Sequence, residues 1–233
     1  MYLTRLQEAP KRSYFLFGPR GSGKSTWLRH ACPDAYVIDL LDESTYQRLL
    51  ADPGLFAGQL RGRKTGDWVV VDEVQRLPNL LNEVHRFIES NGLRFVLCGS
   101  SARKLKRAGV NLLAGRALKR FMHPFTPEEL GDRFDLSSAM EHGLLPVVWD
   151  SEEPGEVVSA YAQLYLKEEI QAEALVRNLP GFARFLPIAA LYHGKTLNIS
   201  NTAREAGVSR TTVTGYFEIL EETLLCFRLH ADR

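Results

Sequence analysis

Three short runs in the first half of the chain are apolar at every position, and each ends on a glycine or an acid. Tyr14-Phe15-Leu16-Phe17 stops at Gly18, Trp68-Val69-Val70-Val71 stops at Asp72, and Phe95-Val96-Leu97-Cys98 stops at Gly99. A strand with one wet face alternates apolar and polar residues. A run without that break marks a strand covered on both faces, as in a parallel sheet flanked by helices. Ala117-Leu118-Lys119-Arg120-Phe121-Met122 adds a further strand of mixed character. After the first run, Ser25-Thr26-Trp27-Leu28-Arg29-His30-Ala31 reads as a helix that ends ahead of Pro33.

The pattern changes near residue 150, where Ser151-Glu152-Glu153-Pro154-Gly155 makes an acidic break. Beyond it, apolar positions recur at spacings of three and four around Tyr161, Leu164 and Tyr165, followed by Glu168 and Glu169, predicting a long helix. Pro180-Gly181 and Gly194 punctuate two further helices. Between Ile199 and Leu220, Ala203 sits on a first helix and Gly207 at a tight turn, with Val208 inward and Ser209 capping a second helix. Val213, Tyr216, Phe217 and Leu220 give that second helix one apolar face. Thr223 to Leu229 then alternates like the first strand of a wing. The expected architecture is α/β: a parallel-sheet core over residues 1–150, a small all-α lid over 151–194 and a winged helix over 195–233.

Composition narrows the function classes. The 233 residues suit one large domain or two small ones, and an apolar share of 45% can build a sizeable core. A net charge of +1 makes no global case for nucleic acid or an anionic membrane. Cys32, Cys98 and Cys226 lie far apart with no CxxC, which argues against a disulfide framework or zinc site and fits a reducing, cytoplasmic setting. No apolar run is long enough for a membrane span, and the N-terminus lacks the apolar stretch of a secretory signal.

The candidate chemistry starts at Gly18-Pro19-Arg20-Gly21-Ser22-Gly23-Lys24-Ser25-Thr26, a GxxxxGK[ST] loop between a strand and a helix. Glycines let successive backbone N–H groups curl around a phosphate, and the following helix turns its positive end to the same anion. Lys24 can then reach the β- and γ-phosphates of ATP while the Ser25 hydroxyl ligates Mg²⁺. Asp72, at the end of the second strand, supplies an acid to hold Mg²⁺ through water, and Glu73 beside it can polarise an attacking water as general base. That pairing favours hydrolysis over transfer to an acceptor. Ser100 and Ser101 emerge at the carboxyl end of the third strand, where either could sense a γ-phosphate or cap the helix that follows.

The segments GPRGSGKST, VVVDE, LCGSS and LAGRALKRFMHPFTPEEL together resemble the AAA+ ATPases. They are most similar to a bacterial and archaeal group that joins an AAA+ core to a winged helix and a further domain of unknown function. The resemblance runs from about residue 10 to the C-terminus. It implies nucleotide contacts for Gly18 to Thr26, metal and base roles for Asp72 and Glu73, and a sensor role for Ser100 or Ser101. Many such relatives have Gln-Val at the positions of Gly21-Ser22 and threonine at that of Ser25, where serine supplies the same hydroxyl. They also continue into a domain whose fold resembles restriction nucleases. This chain reaches Arg233 directly after the expected wing strand, so the expectation is a shortened chain with a bare apolar seam at Leu224, Leu225, Phe227 and Leu229.

Two features leave the partners open. From Ser90 to Thr126 there is no acid, while Arg94, Arg103, Lys104, Lys106, Arg107, Arg116, Lys119 and Arg120 are all basic. Arg116 could act as an arginine finger on a neighbouring subunit in a homo-oligomer, as the AAA+ resemblance implies; the cluster could contact a nucleic acid backbone; or it could be a solvated face. In the second helix of the pair, Arg210, Thr211, Thr212 and Thr214 are types that read a DNA groove, yet residues 194–233 hold five basic and five acidic side chains. The expected function is therefore an ATP-driven switch or remodeller, with a DNA-binding regulator as the alternative.

Overall fold

Burial on both faces organises the first half of the molecule. The computed structural model describes residues 2–100, 105, 113–164 and 178–229. Strand β1 (Tyr14–Phe17) has all four side chains at 0% exposure. Its alternation splits them: Tyr14 and Leu16 pack with Trp27, Leu28, Val70, Val96, Cys98 and Met122, while Phe15 and Phe17 stack on each other at 5.5 Å. Burying each such side chain contributes about 1.5–3 kcal/mol. Helix α1 (Lys24–Ala31) follows β1, starting one residue before the predicted span and ending where Pro33 predicts.

The remaining strands are β2 (Tyr36–Asp39), β3 (Trp68–Asp72), β4 (Arg94–Gly99) and β5 (Leu118–Phe121). All pair in parallel, in the order β2-β3-β4-β1-β5. Between them lie α2 (Glu43–Ala51), α3 (Gly54–Gln59) and α4 (Leu80–Asn91). Strand β2 was not expected from the sequence. It is a four-residue edge strand with Val37 54% exposed, so it lacks the unbroken burial that marks its neighbours. Helices α5 (Pro127–Leu130), α6 (Leu136–His142) and α7 (Pro146–Trp149) complete the first of two compact units, Met1–Asp150.

The second unit spans Ser151–Arg233 and holds α8 (Pro154–Leu164), α9 (Leu179–Ala190), α10 (Ile199–Ala206) and α11 (Arg210–Glu222). Asn178, Asn198 and Ser209 each cap the helix they precede by accepting a backbone N–H. Phe182 meets Tyr216 edge-on at 5.0 Å, and Phe185 meets Phe217 edge-on at 4.9 Å. These rings put α9 in one core with α10 and α11, although the sequence assigned α9 to a separate lid. The turn Gly207-Val208-Ser209 joins α10 to α11 as expected for a helix-turn-helix. The wing strand is a correction: residues 223–229 form no strand. Alternation alone does not make a strand; a ladder partner is needed, and none is present among the described residues of this unit. Cys226 tucks against the aromatic core and Arg228 pairs with Glu221, whereas Phe227 and Leu229 are 80% and 88% exposed. No helix among the described residues is long and apolar enough to cross a membrane.

Candidate functional site

Parallel register brings the candidate residues to one end of the sheet. Phe17 lies opposite Gly99 on one side and Phe121 on the other, so the loop after β1 stands beside the end of β4. Asp72 closes β3, the next strand across. In an open parallel sheet this carboxyl edge is where ligands bind.

Glycines set the loop's shape, as Gly18 and Gly23 illustrate. A Cβ on Gly18 would lie 2.3 Å from the Met122 carbonyl oxygen, so only glycine lets β1 leave the sheet this close to β5. Gly23 is left-handed at φ 84° and forms the N-cap of α1. Pro19 and Ser22 are buried, Arg20, Gly21 and Gly23 are partly exposed, and Ser25 and Thr26 are exposed at the start of α1. The Lys24 ammonium is folded back into this loop, donating to the carbonyl oxygens of Gly18 at 2.7 Å and Pro19 at 3.0 Å. Lys24 is only 6% exposed, and no carboxylate among the described residues lies within ion-pair range of it. A buried charge normally has a counter-charge, so this one is poised for an anion.

Ser25 Oγ donates to Asp72 Oδ2 at 2.7 Å, joining the start of α1 to the end of β3. Asp72 also affects Cys98. Burial first, and then the nearby Asp72 carboxylate, push that thiol well above its ordinary pKa. The hydroxyl–carboxylate pair is a fitting oxygen donor set for Mg²⁺, which keeps most of its ligands as water and phosphate. No cluster of three or more His, Cys, Asp or Glu side chains suited to a metal occurs among the described residues, so a metal fully caged by the protein is not what this site fits.

Glu73 adopts φ 54°, ψ 41°, a left-handed conformation that L-residues avoid and that turns its side chain out of the strand. Its carboxylate accepts a hydrogen bond from Gln75 Nε2, which also donates to Ser100 Oγ at 3.3 Å. Gln75 therefore links the candidate base to the candidate sensor. The sequence pattern did not single it out, because its role comes from the fold of the turn after β3. Ser100 is buried beside this group, whereas Ser101 lies outside the described residues.

Arg116 stands apart from this cluster. It precedes β5 at the amino edge of the sheet, so the whole four-residue strand, about 13 Å at 3.3 Å per residue, separates its end of the sheet from the loop's. Its guanidinium pairs with Glu89 near the end of α4 and holds that carboxyl below its ordinary pKa. Arg94, also in the basic stretch, is engaged structurally: it donates to the Gly66 carbonyl and stacks over Trp68. Arg103, Lys104, Lys106 and Arg107 lie outside the described residues.

A parallel sheet with a glycine-rich loop after β1 and an acid pair at the end of β3, two strands across, defines a P-loop ATPase of the AAA+ class. The chain belongs to the family described as AAA domain, whose model matches residues 10–131, more than half of its length. A second model, Domain of unknown function (DUF8612), matches residues 133–231. No curated protein matches the chain. Among solved structures it is similar to RuvB, the Holliday junction branch migration motor of Thermotoga maritima, at 16% identity, TM-score 0.45, covering 92% of this chain and 79% of that one. It is also similar to the ORC2 protein of Aeropyrum pernix, at 13% identity, TM-score 0.49, covering 93% of this chain and 81% of that one.

Proposed function

We propose that this chain binds ATP with Mg²⁺ at the loop Gly18–Thr26 and hydrolyses it, using the cycle as a switch or remodeller. The observation that carries the reading is Lys24: a buried ammonium without a carboxylate partner among the described residues, one residue from the Ser25–Asp72 pair. Phosphate oxygens would replace the Gly18 and Pro19 carbonyls as its partners, giving the ammonium anionic acceptors in place of neutral ones. Backbone N–H groups of the loop and the N-terminus of α1 bind the same anion. Ser25 and Asp72 would hold Mg²⁺, which when bound offsets charge on the β- and γ-phosphates. Glu73 takes the proton of the attacking water at its carboxylate, in the orientation that Gln75 Nε2 imposes. Ser100, on the same amide, serves as the sensor of the γ-phosphate.

Arg116 cannot reach this site within its own chain, so a finger role needs a second subunit and release of Glu89. DNA binding by α10 and α11 has less support. Among the hydroxyls at the start of α11, Ser209 bonds with Thr211 and Thr212, and Thr214 donates to the Arg210 carbonyl.

Phosphate release by wild type, Lys24→Ala and Glu73→Gln tests the assignment. Lys24→Ala should lose nucleotide binding. Glu73→Gln should keep binding and lose turnover by about 10²–10⁴-fold. Equal turnover in Glu73→Gln and wild type would remove Glu73 as the base.

A further inference from the structure

The segment before β1 carries no recognisable motif, yet one of its side chains enters the nucleotide loop. Arg5 Nη1 donates to the Ser22 carbonyl oxygen at 2.9 Å. Its other nitrogens are equally committed: Nε to Glu129 Oε1 at 2.9 Å, and Nη2 to the carbonyls of His123 at 2.6 Å and Pro124 at 3.3 Å. The guanidinium also lies over the Phe125 ring at 4.8 Å. The Arg5 and Glu129 side chains are 6% and 4% exposed, so this is a buried ion pair. Glu129 is fully engaged as well. It accepts Leu6 N at 2.8 Å, and its second oxygen accepts Thr126 N at 3.1 Å in the capping box of α5. On the same stretch of loop, Val147 N, in α7, donates to the Gly21 carbonyl at 3.4 Å.

A trans peptide points its C=O and the following N–H in opposite directions. Fixing the Ser22 carbonyl on Arg5 therefore fixes the Gly23 N–H facing away from Arg5. Gly23 is the residue whose left-handed φ of 84° starts α1, and its peptide is free to flip unless something holds it. We infer that Arg5, seated by Glu129, is a positioning residue for the nucleotide loop: it locks the Ser22–Gly23 peptide so that the Gly23 N–H is presented to phosphate before nucleotide arrives. The inference rests on the loop being a nucleotide site. It adds a residue that makes no contact with nucleotide and works by removing the cost of ordering the backbone on binding.

Such a residue acts equally on ground state and transition state. Its loss should therefore raise KM and Kd and leave the chemical step nearly as fast. Two variants separate this from simple support of the fold. Arg5→Lys keeps a cation for Glu129 but has no planar fork to reach three carbonyls at once. The pair Arg5→Gln with Glu129→Gln removes both buried charges together, so neither is stranded. For each, the measurements are the melting curve, Kd for N-methylanthraniloyl-ADP with Mg²⁺, and KM and kcat for ATP, with wild type and Lys24→Ala as references. The expected result is a cooperative melt with Kd and KM raised about tenfold or more, while kcat stays within about threefold. If the paired variant does not melt cooperatively, Arg5→Lys carries the test alone. Wild-type Kd in a variant that melts cooperatively overturns the inference and leaves the proposed function standing. Failure of wild type itself to bind the fluorescent nucleotide overturns both.

Discussion

A methyl group at Gly18 has nowhere to go: the obstacle 2.3 Å away is the Met122 backbone carbonyl, and the adjacent Met122 N–H is bonded to the Phe17 carbonyl at 2.7 Å. Gly18→Ala should therefore cost about 1–3 kcal/mol as an overpacked site, seen as a melting temperature several degrees lower. Ser22 is the opposite case. Its hydroxyl is fully buried without a hydrogen-bond partner among the described residues, so Ser22→Ala should stay within about 1 kcal/mol of wild type in the same melt. Gly99 tests the coupling at the site. A Cβ there would lie 2.2 Å from Gln75 Oε1 and push that amide away from Glu73 and Ser100. Steady-state kinetics on Gly99→Ala should show kcat down about tenfold or more, with ADP affinity little changed. Equal losses in ADP affinity and kcat would mean that Gln75 supports the loop and not the base.

Elements differ in how openly the sequence announces them. β1, β3 and β4 were legible because burial on both faces leaves no polar residue inside Tyr14–Phe17, Val69–Val71 or Phe95–Cys98. β2 was not, since an edge strand of four residues with an exposed Val37 resembles any loop with two aliphatic residues. The GxxxxGK[ST] loop was legible because its pattern is local, lying within nine residues between a strand and a helix, and Asp72-Glu73 because the pair directly ends an unbroken apolar run. Arg5 and Glu129 were not: they are 124 residues apart, and only the passage of the chain across β1 to β5 brings them together. Leu225, Phe227 and Leu229 misled for the converse reason, because a period of two records a pattern and not a pairing partner. In the second unit, the aromatic contacts of Phe185 with Tyr216 and Phe217 hold α9 against α11. Phe185→Ala should remove about 3–5 kcal/mol, read as a lower urea midpoint for the helical signal in far-ultraviolet circular dichroism.

For the whole molecule, the proposed finger role of Arg116 bears on whether one chain suffices for the proposed hydrolysis. If Arg116 serves a neighbouring subunit, specific activity should rise with protein concentration. Mixing Arg116→Ala with Glu73→Gln should then restore part of the activity, because one interface pairs an intact finger with an intact base. A rate independent of concentration across the monomer range removes Arg116 from the reaction. Beneath that question lies the central claim, that Lys24, Ser25 and Asp72 form a site for a magnesium–nucleotide pair. Calorimetric titration of the wild-type protein with ATP, with Mg²⁺ present and again after chelation by EDTA, tests it most directly. The prediction is saturable binding of one ATP per chain, weakened about tenfold or more when the metal is removed. No saturable heat, or the same affinity with and without Mg²⁺, would contradict it.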